Sequence, residues 1–201
     1  MAWTAPRTWV TSELVTSSLL NTHLRDNLLA LGGVVIDDHT VSGAVLASYD
    51  TNARLGGSIT SLFKHLRLVC SLRSDTAAFA VGIKANFNND TGANYDSIKS
   101  LMALTYSGAV TTAGTFADVG FTLGASARAS RFQPFILDIP DYNGANLKGW
   151  AGRGSFHDDG NAGHFVSSGS QRASTAALTR VALSLAAGSF AVGCRFTLIG
   201  I

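Results

Sequence analysis

Lys64-His-Leu-Arg-Leu-Val-Cys-Ser-Leu-Arg73 decides the fold. In an extended chain successive side chains point to opposite sides, so Leu66, Leu68, Cys70 and Leu72 share one face while Arg67 and Ser71 fall on the other. That is a strand with one face in a core and one in water. Working outward, segments of the same kind recur at 79–87, 98–106, 132–139, 147–156, 165–168, 178–185 and 196–201, with turns rich in Gly, Asn, Asp and Ser between them. About eight to ten strands without a long helix between them predict a mainly β chain, an antiparallel β-sandwich of jelly-roll-like form. The sequence shows no repeat of the period that marks propellers and solenoids.

The chain ahead of this body differs in kind. From Thr16 to Leu31 it lacks Gly and Pro, with Thr16 placed to cap a helix and Gly32 to stop it. Asn21, Leu24, Leu28 and Leu31 are spaced as the seam of a short coiled coil, with the Asn at a core position. A helix of about 15 residues is marginal alone in water, so it must pack on its own domain, on sister copies or on a larger scaffold. Trp3 and Trp9 lie on a Pro-containing arm before it, either as anchors into a partner or folded back over the helix. The division expected is therefore 1–33, an arm and an attachment or oligomerisation helix, and 34–201, the β-sandwich.

Composition narrows the function classes. Of 201 residues 46% are apolar and 14% charged, with mean hydropathy +0.22. Charged residues make up about 25% of an ordinary soluble domain, so this chain is expected to hide surface against other subunits. No apolar run approaches the roughly 20 residues of a membrane span, and no membrane insertion is expected. The start lacks the basic, apolar and cleavage regions of an export signal, and synthesis in a cytoplasm is expected. Net charge is +2 without a basic run, which argues against nucleic acid as a partner. Cys70 and Cys194, the two cysteines, read as buried free thiols in that compartment.

Few groups point to chemistry. In Asn86-Phe-Asn-Asn-Asp-Thr-Gly-Ala-Asn-Tyr-Asp96 the side chains of Asn88, Asp90 and Asn94 offer oxygen ligands, but the spacing is not that of an EF-hand, and a turn explains the same residues. His157-Asp-Asp-Gly-Asn-Ala-Gly-His164 is the densest titratable cluster, and its glycines read as a strand connection. His23, His39 and His65 stand alone. The sequence carries no nucleophile elbow, phosphate-binding glycine loop or zinc-protease motif, so neither enzymatic activity nor a cofactor nor a metal is expected. Glycan binding needs only a flat ring with polar neighbours, and Tyr142, Trp150, His157 and Asp158 are the candidates. The more ordinary reading of Trp150 is a core or inter-subunit residue on its strand.

Three segments together resemble tailed-bacteriophage virion structural proteins of the minor tail, tail-fibre or head-fibre type. Pro6-Arg-Thr-Trp-Val-Thr-Ser-Glu-Leu-Val-Thr-Ser-Ser-Leu-Leu-Asn-Thr-His-Leu-Arg-Asp-Asn-Leu28 is similar to their N-terminal attachment segment. Phe63-Lys-His-Leu-Arg-Leu68, Arg73-Ser-Asp75 and Phe87-Asn-Asn-Asp-Thr-Gly-Ala-Asn-Tyr95 resemble their β domain. Gly188-Ser-Phe-Ala-Val-Gly-Cys-Arg-Phe-Thr-Leu-Ile-Gly-Ile201 resembles its ending, with Ile199 where Tyr is usual, as Asn89 stands where Gly is usual. The resemblance implies a virion component made in the host cytoplasm. It implies a homo-oligomer, a trimer by expectation, joined to other virion proteins through residues 1–33 and able to contact host-surface carbohydrate. A tail-tip depolymerase and a decoration protein without a ligand are the competing readings.

Overall fold

The computed structural model describes residues 14, 16–20, 33–102, 106–157 and 163–201. Twelve strands are among them: β1 (Val34–Thr40), β2 (Ser48–Asp50), β3 (Leu66–Leu72), β4 (Ala80–Phe87), β5 (Tyr95–Met102), β6 (Tyr106–Gly114), β7 (Ala117–Leu123), β8 (Gln133–Ile139), β9 (Lys148–His157), β10 (Gly163–Arg172), β11 (Val181–Leu185) and β12 (Arg195–Gly200). Two short helices accompany them, α1 (Ser17–Leu20) and α2 (Thr51–Leu55). Thr16 caps α1, its Oγ1 accepting the Leu19 N–H at 3.2 Å. The remainder of the expected helix, with Asn21, Leu24, Leu28 and Leu31, lies outside the described residues, as do Trp3 and Trp9.

The quoted strand folds as its alternation dictates. Leu66, Leu68, Cys70 and Leu72 are buried, and Arg67, Val69 and Ser71 face outward. β3 lies inside an eight-stranded sheet of order β1-β12-β3-β8-β9-β10-β5-β6, which packs on a four-stranded sheet of order β2-β11-β4-β7. All strand pairs are antiparallel. Setting aside the hairpins β5–β6 and β9–β10 leaves β1-β12-β3-β8 over β2-β11-β4-β7. Numbered afresh, those strands run 1-8-3-6 over 2-7-4-5, a long hairpin rolled on itself, which is the strand order of a jelly roll. The two hairpins join to each other through β10 and β5, and widen one sheet to eight strands.

The sandwich agrees with the expectation, while several strand bounds do not. The segment 98–106 covers only the later part of β5, which runs Tyr95–Met102, and β6, which returns antiparallel from Tyr106 to Gly114, is not among the expected segments. β10 is ten residues long rather than the short segment 165–168. β1, β2 and β7 escaped the alternation rule for local reasons. β1 carries a bulge between Val35 and Asp37 that shifts its period, and β2 has three residues. In β7 both Val119 and Gly120 are buried, next to a register shift opposite Ile83 and Lys84.

The core fills the space between the sheets with Tyr49, Phe87, Phe135, Phe190, Phe196 and aliphatic side chains. Tyr49 and Phe196 stack at 4.6 Å between ring centres. Cys70 and Cys194 are buried free thiols, and burial pushes both thiols up, Cys194 to about 11.

Candidate functional site

The four glycan candidates are not brought together. Tyr142 follows β8 and is 1% exposed; its hydroxyl donates to the Thr60 carbonyl, and burial raises its phenol above the ordinary range. Its backbone ties two more segments, the N–H donating to the Lys64 carbonyl and the carbonyl accepting the Leu178 N–H. Trp150 is 4% exposed and points inward, its ring centre 5.6 Å from that of Phe87 and 6.3 Å from that of Tyr95. A sugar stacks on an open ring face, and neither ring offers one. Tyr142 and Trp150 are therefore core residues, which corrects the expectation for them. His157 is exposed at the opposite end of β9 from Trp150, about 23 Å away at the ~3.3 Å rise of a strand. Asp158 lies outside the described residues.

The Asn-rich loop closes on its own side chains. Asp90 Oδ1 accepts from the Gly92 N–H at 2.9 Å, and Oδ2 accepts from Arg172 Nε at 2.9 Å and Asn94 Nδ2 at 3.0 Å. Burial works to raise the Asp90 carboxyl, but the Gly92 N–H, Arg172 and Asn94 outweigh it and hold the group below the ordinary range. Asn88 Oδ1 accepts from the Thr179 N–H and the Arg180 N–H. Asp90 thus ties the loop after β4 to β10 and to the entry of β5, and Asn88 ties it to the segment entering β11. Among the described residues no group of three His, Cys, Asp or Glu is placed to hold a metal ion.

Two open grooves mark opposite ends of the widened sheet. One, of about 590 Å³, lies at the β9–β10 hairpin and is lined mainly by Met102, Phe132, Pro134, Phe156, His157 and Phe165. His164 stacks on Phe156 at 4.7 Å, Phe79 tilts against both rings, and Arg131 Nη1 donates to the His157 carbonyl at 3.1 Å. The second, of about 660 Å³, opens where β8 and β9 part company beyond Asp138 and Ala151. His65, Arg67, Asp138, Pro140 and Ile201 are among its walls. There Asp138 accepts from Arg67 Nε at 2.6 Å and from Arg153 Nη2 at 3.0 Å, and the hydrogen bond to Asp138 raises the Arg67 guanidinium. Both grooves suit an apolar or ring-bearing ligand better than a strongly charged one.

Between the grooves runs the feature that sequence reasoning missed. Inward-facing residues of the widening strands meet β7: Ser168 Oγ donates to the Val119 carbonyl, the Asp118 N–H donates to Ser97 Oγ, and Lys99 pairs with Asp118 at 2.9 Å. The opposite face is open and mixed, with apolar side chains on β5, β6 and β10 set apart from those on β3 and β8 by Ala151, Arg153 and Ser155 of β9. Val110 sits across from Ile98, Met102 across from Phe165, and Ile136 across from Val69. Exposure is 71% for Val110, 50% for Ile98, 51% for Met102 and 49% for Phe165. From β6 to β10 the apolar patch crosses two strand spacings, about 10 Å at ~4.8 Å each. Isolated exposed apolar residues are ordinary, but Ile98, Met102, Val110 and Phe165 lie on three adjacent strands at one end of the sheet. The alternation of Ile98 and Met102 against Ser97, Lys99 and Leu101 held the signal, but both faces of β5 are mixed, so the sequence did not say which was covered.

Compared with protein-family models, with curated proteins and with solved structures, the chain matches none of them, so its fold is established by its strand order alone.

Proposed function

We propose that the chain is an oligomeric structural component of a bacteriophage virion, a minor tail, baseplate or capsid-exterior fibre protein. The apolar patch on the outer face of the eight-stranded sheet carries this reading. A patch of Ile98, Met102, Val110 and Phe165 on neighbouring strands is suited to be covered by protein, and subunits of large assemblies cover such patches on one another. The strand order adds support, since jelly rolls recur in viral shells and in lectins. So does the position of the resembling segments: Phe63–Leu68 leads into β3 and Gly188–Ile201 supplies β12, and those two strands pair along their whole length. Residues 1–33 are the attachment segment in this reading.

Host-surface carbohydrate is a subsidiary ligand, with the Phe165 and His157 groove the place for it. Several copies on one particle would multiply weak contacts into firm attachment. The test is direct. Particles of the phage that encodes this chain are purified, the chain is sought by peptide mass spectrometry, and a gold-labelled antibody locates it. The expected result is a fixed copy number at one site on the particle, and particles that lack the chain altogether would overturn the proposal.

A further inference from the structure

We propose that β6 is the surface through which two copies of this chain pair, edge to edge and antiparallel, joining their eight-stranded sheets across a two-fold axis. The inference deepens the reading of the chain as an assembled subunit, and rests on it. A sheet edge presents unpaired N–H and C=O groups, and proteins that leave an edge unused guard it with charge, proline, a bulge or short length. Three of the four edges among the described residues are guarded. β1 carries Asp37, Asp38 and a bulge. β2 has three residues. β7 carries Asp118 and a register shift.

β6 carries neither charge nor proline, and its one register shift lies at its far end, between Thr111 and Gly114, where Ala113 takes φ +50°. It is nine residues long, Tyr-Ser-Gly-Ala-Val-Thr-Thr-Ala-Gly. Its register with β5 is regular from Tyr106 to Thr111, and the shift falls beyond, opposite Tyr95 and Ser97. Its one hydrogen-bonded neighbour among the described strands is β5.

Charge decides the occupant. Self-pairing places each residue opposite a symmetry mate, and like charges set opposite one another destabilise a sheet. A two-fold axis through the middle of β1 would set aspartate against aspartate. A two-fold axis at Val110 sets valine against valine and Ala109 against Thr111, with no charge anywhere along β6. The same axis leaves both outer faces on one side, so the Val110 and Ile98 of each copy meet in one continuous apolar stripe.

The full chain is examined by sedimentation equilibrium beside Val110→Lys, Thr112→Lys and, as a control on the far edge, Val35→Lys. Val110 and Val35 are 71% and 59% exposed, so neither substitution disturbs the core. The expected result is a dimer at micromolar concentration whose dissociation constant rises on the order of 100-fold when lysines face each other at the axis, and is unchanged by Val35→Lys. Val110→Cys should form a disulfide-linked dimer under mild oxidation, because the axis sets the two thiols directly opposite one another on exposed edge strands. A trimer, or any oligomer untouched by Val110→Lys, overturns β6 pairing and leaves the assembly reading standing. A monomer that is nonetheless found in particles overturns β6 pairing alone, and a monomer absent from particles overturns both.

Discussion

Asp90 and Arg172 form the most enclosed ion pair among the described residues, with side chains 14% and 8% exposed and 2.9 Å between Nε and Oδ2. The folded protein holds the Asp90 carboxyl below its ordinary 3.8, despite burial, because the Gly92 N–H, Arg172 and Asn94 favour the ionised form. The sign follows. A carboxylate whose pKa is lower folded than unfolded contributes stability in full above the unfolded value, and loses it as pH falls through the folded one. Asp90→Asn leaves the Arg172 charge enclosed without its partner, and should cost about 3 kcal/mol near neutral pH. Below about pH 4 the wild-type protein loses the same contribution, so denaturant midpoints of the two proteins should converge there. A gap that stayed constant from neutral pH to about pH 3 would show that the Asp90 charge is not the source. Asp38 is held lower still, to about 2, by hydrogen bonds from Arg195 and Thr197, yet it lies in solvent, where salt screens such pairs.

Elements were legible in the sequence where one face was uniformly apolar, and illegible where the sheets come too close for a side chain. β3, β8 and β12 alternate cleanly, and their strands stand where the pattern put them. β9 does not. Its inward positions are Lys148, Trp150, Gly152, Gly154 and Phe156. Gly152 is inward because a Cβ there would stand 2.3 Å from the Val119 carbonyl oxygen. Lys148 is inward because its Nζ donates to the carbonyls of Gly144, Asn146 and Thr175. With a lysine and two glycines on its core face, β9 shows no clean alternation, so the sequence left Trp150 open between a core or inter-subunit residue and a glycan platform, and the structure places it inside. β7 shows the same crowding at Gly120, where φ is +146° and a Cβ would stand 3.1 Å from the Phe135 ring and 3.3 Å from Val166 Cγ1. Gly120→Ala therefore meets both backbone strain and overpacking, and should lower stability by about 2 kcal/mol, read from the urea midpoint at unchanged slope. An unchanged midpoint would mean that the sheets can separate there at no cost.

At the scale of the whole molecule, two surfaces are assigned two tasks, and they are far enough apart in the chain to be separated by experiment. The β body closes on itself from β1 onward, with Val34 opposite Gly200 and the Lys64 and His65 N–H groups donating to the Ile201 carbonyl. Removing residues 1–33 leaves every strand and the whole of the core cluster in place. The truncated chain should therefore still fold and unfold cooperatively, read as a single thermal transition, and a chain without such a transition would show that the body depends on residues 1–33. It should also keep the β6 association, because that edge lies in the body, while no longer joining particles assembled in its presence. Competition in an infected culture measures this: tagged full chain and tagged truncation are supplied at equal levels, and their ratio is read in purified particles. Strong exclusion of the truncation assigns attachment to the first 33 residues. Equal incorporation assigns it instead to the apolar patch of Ile98, Met102, Val110 and Phe165, which would then serve the particle rather than a sister copy, and the grooves beside it would be buried rather than presented to a host.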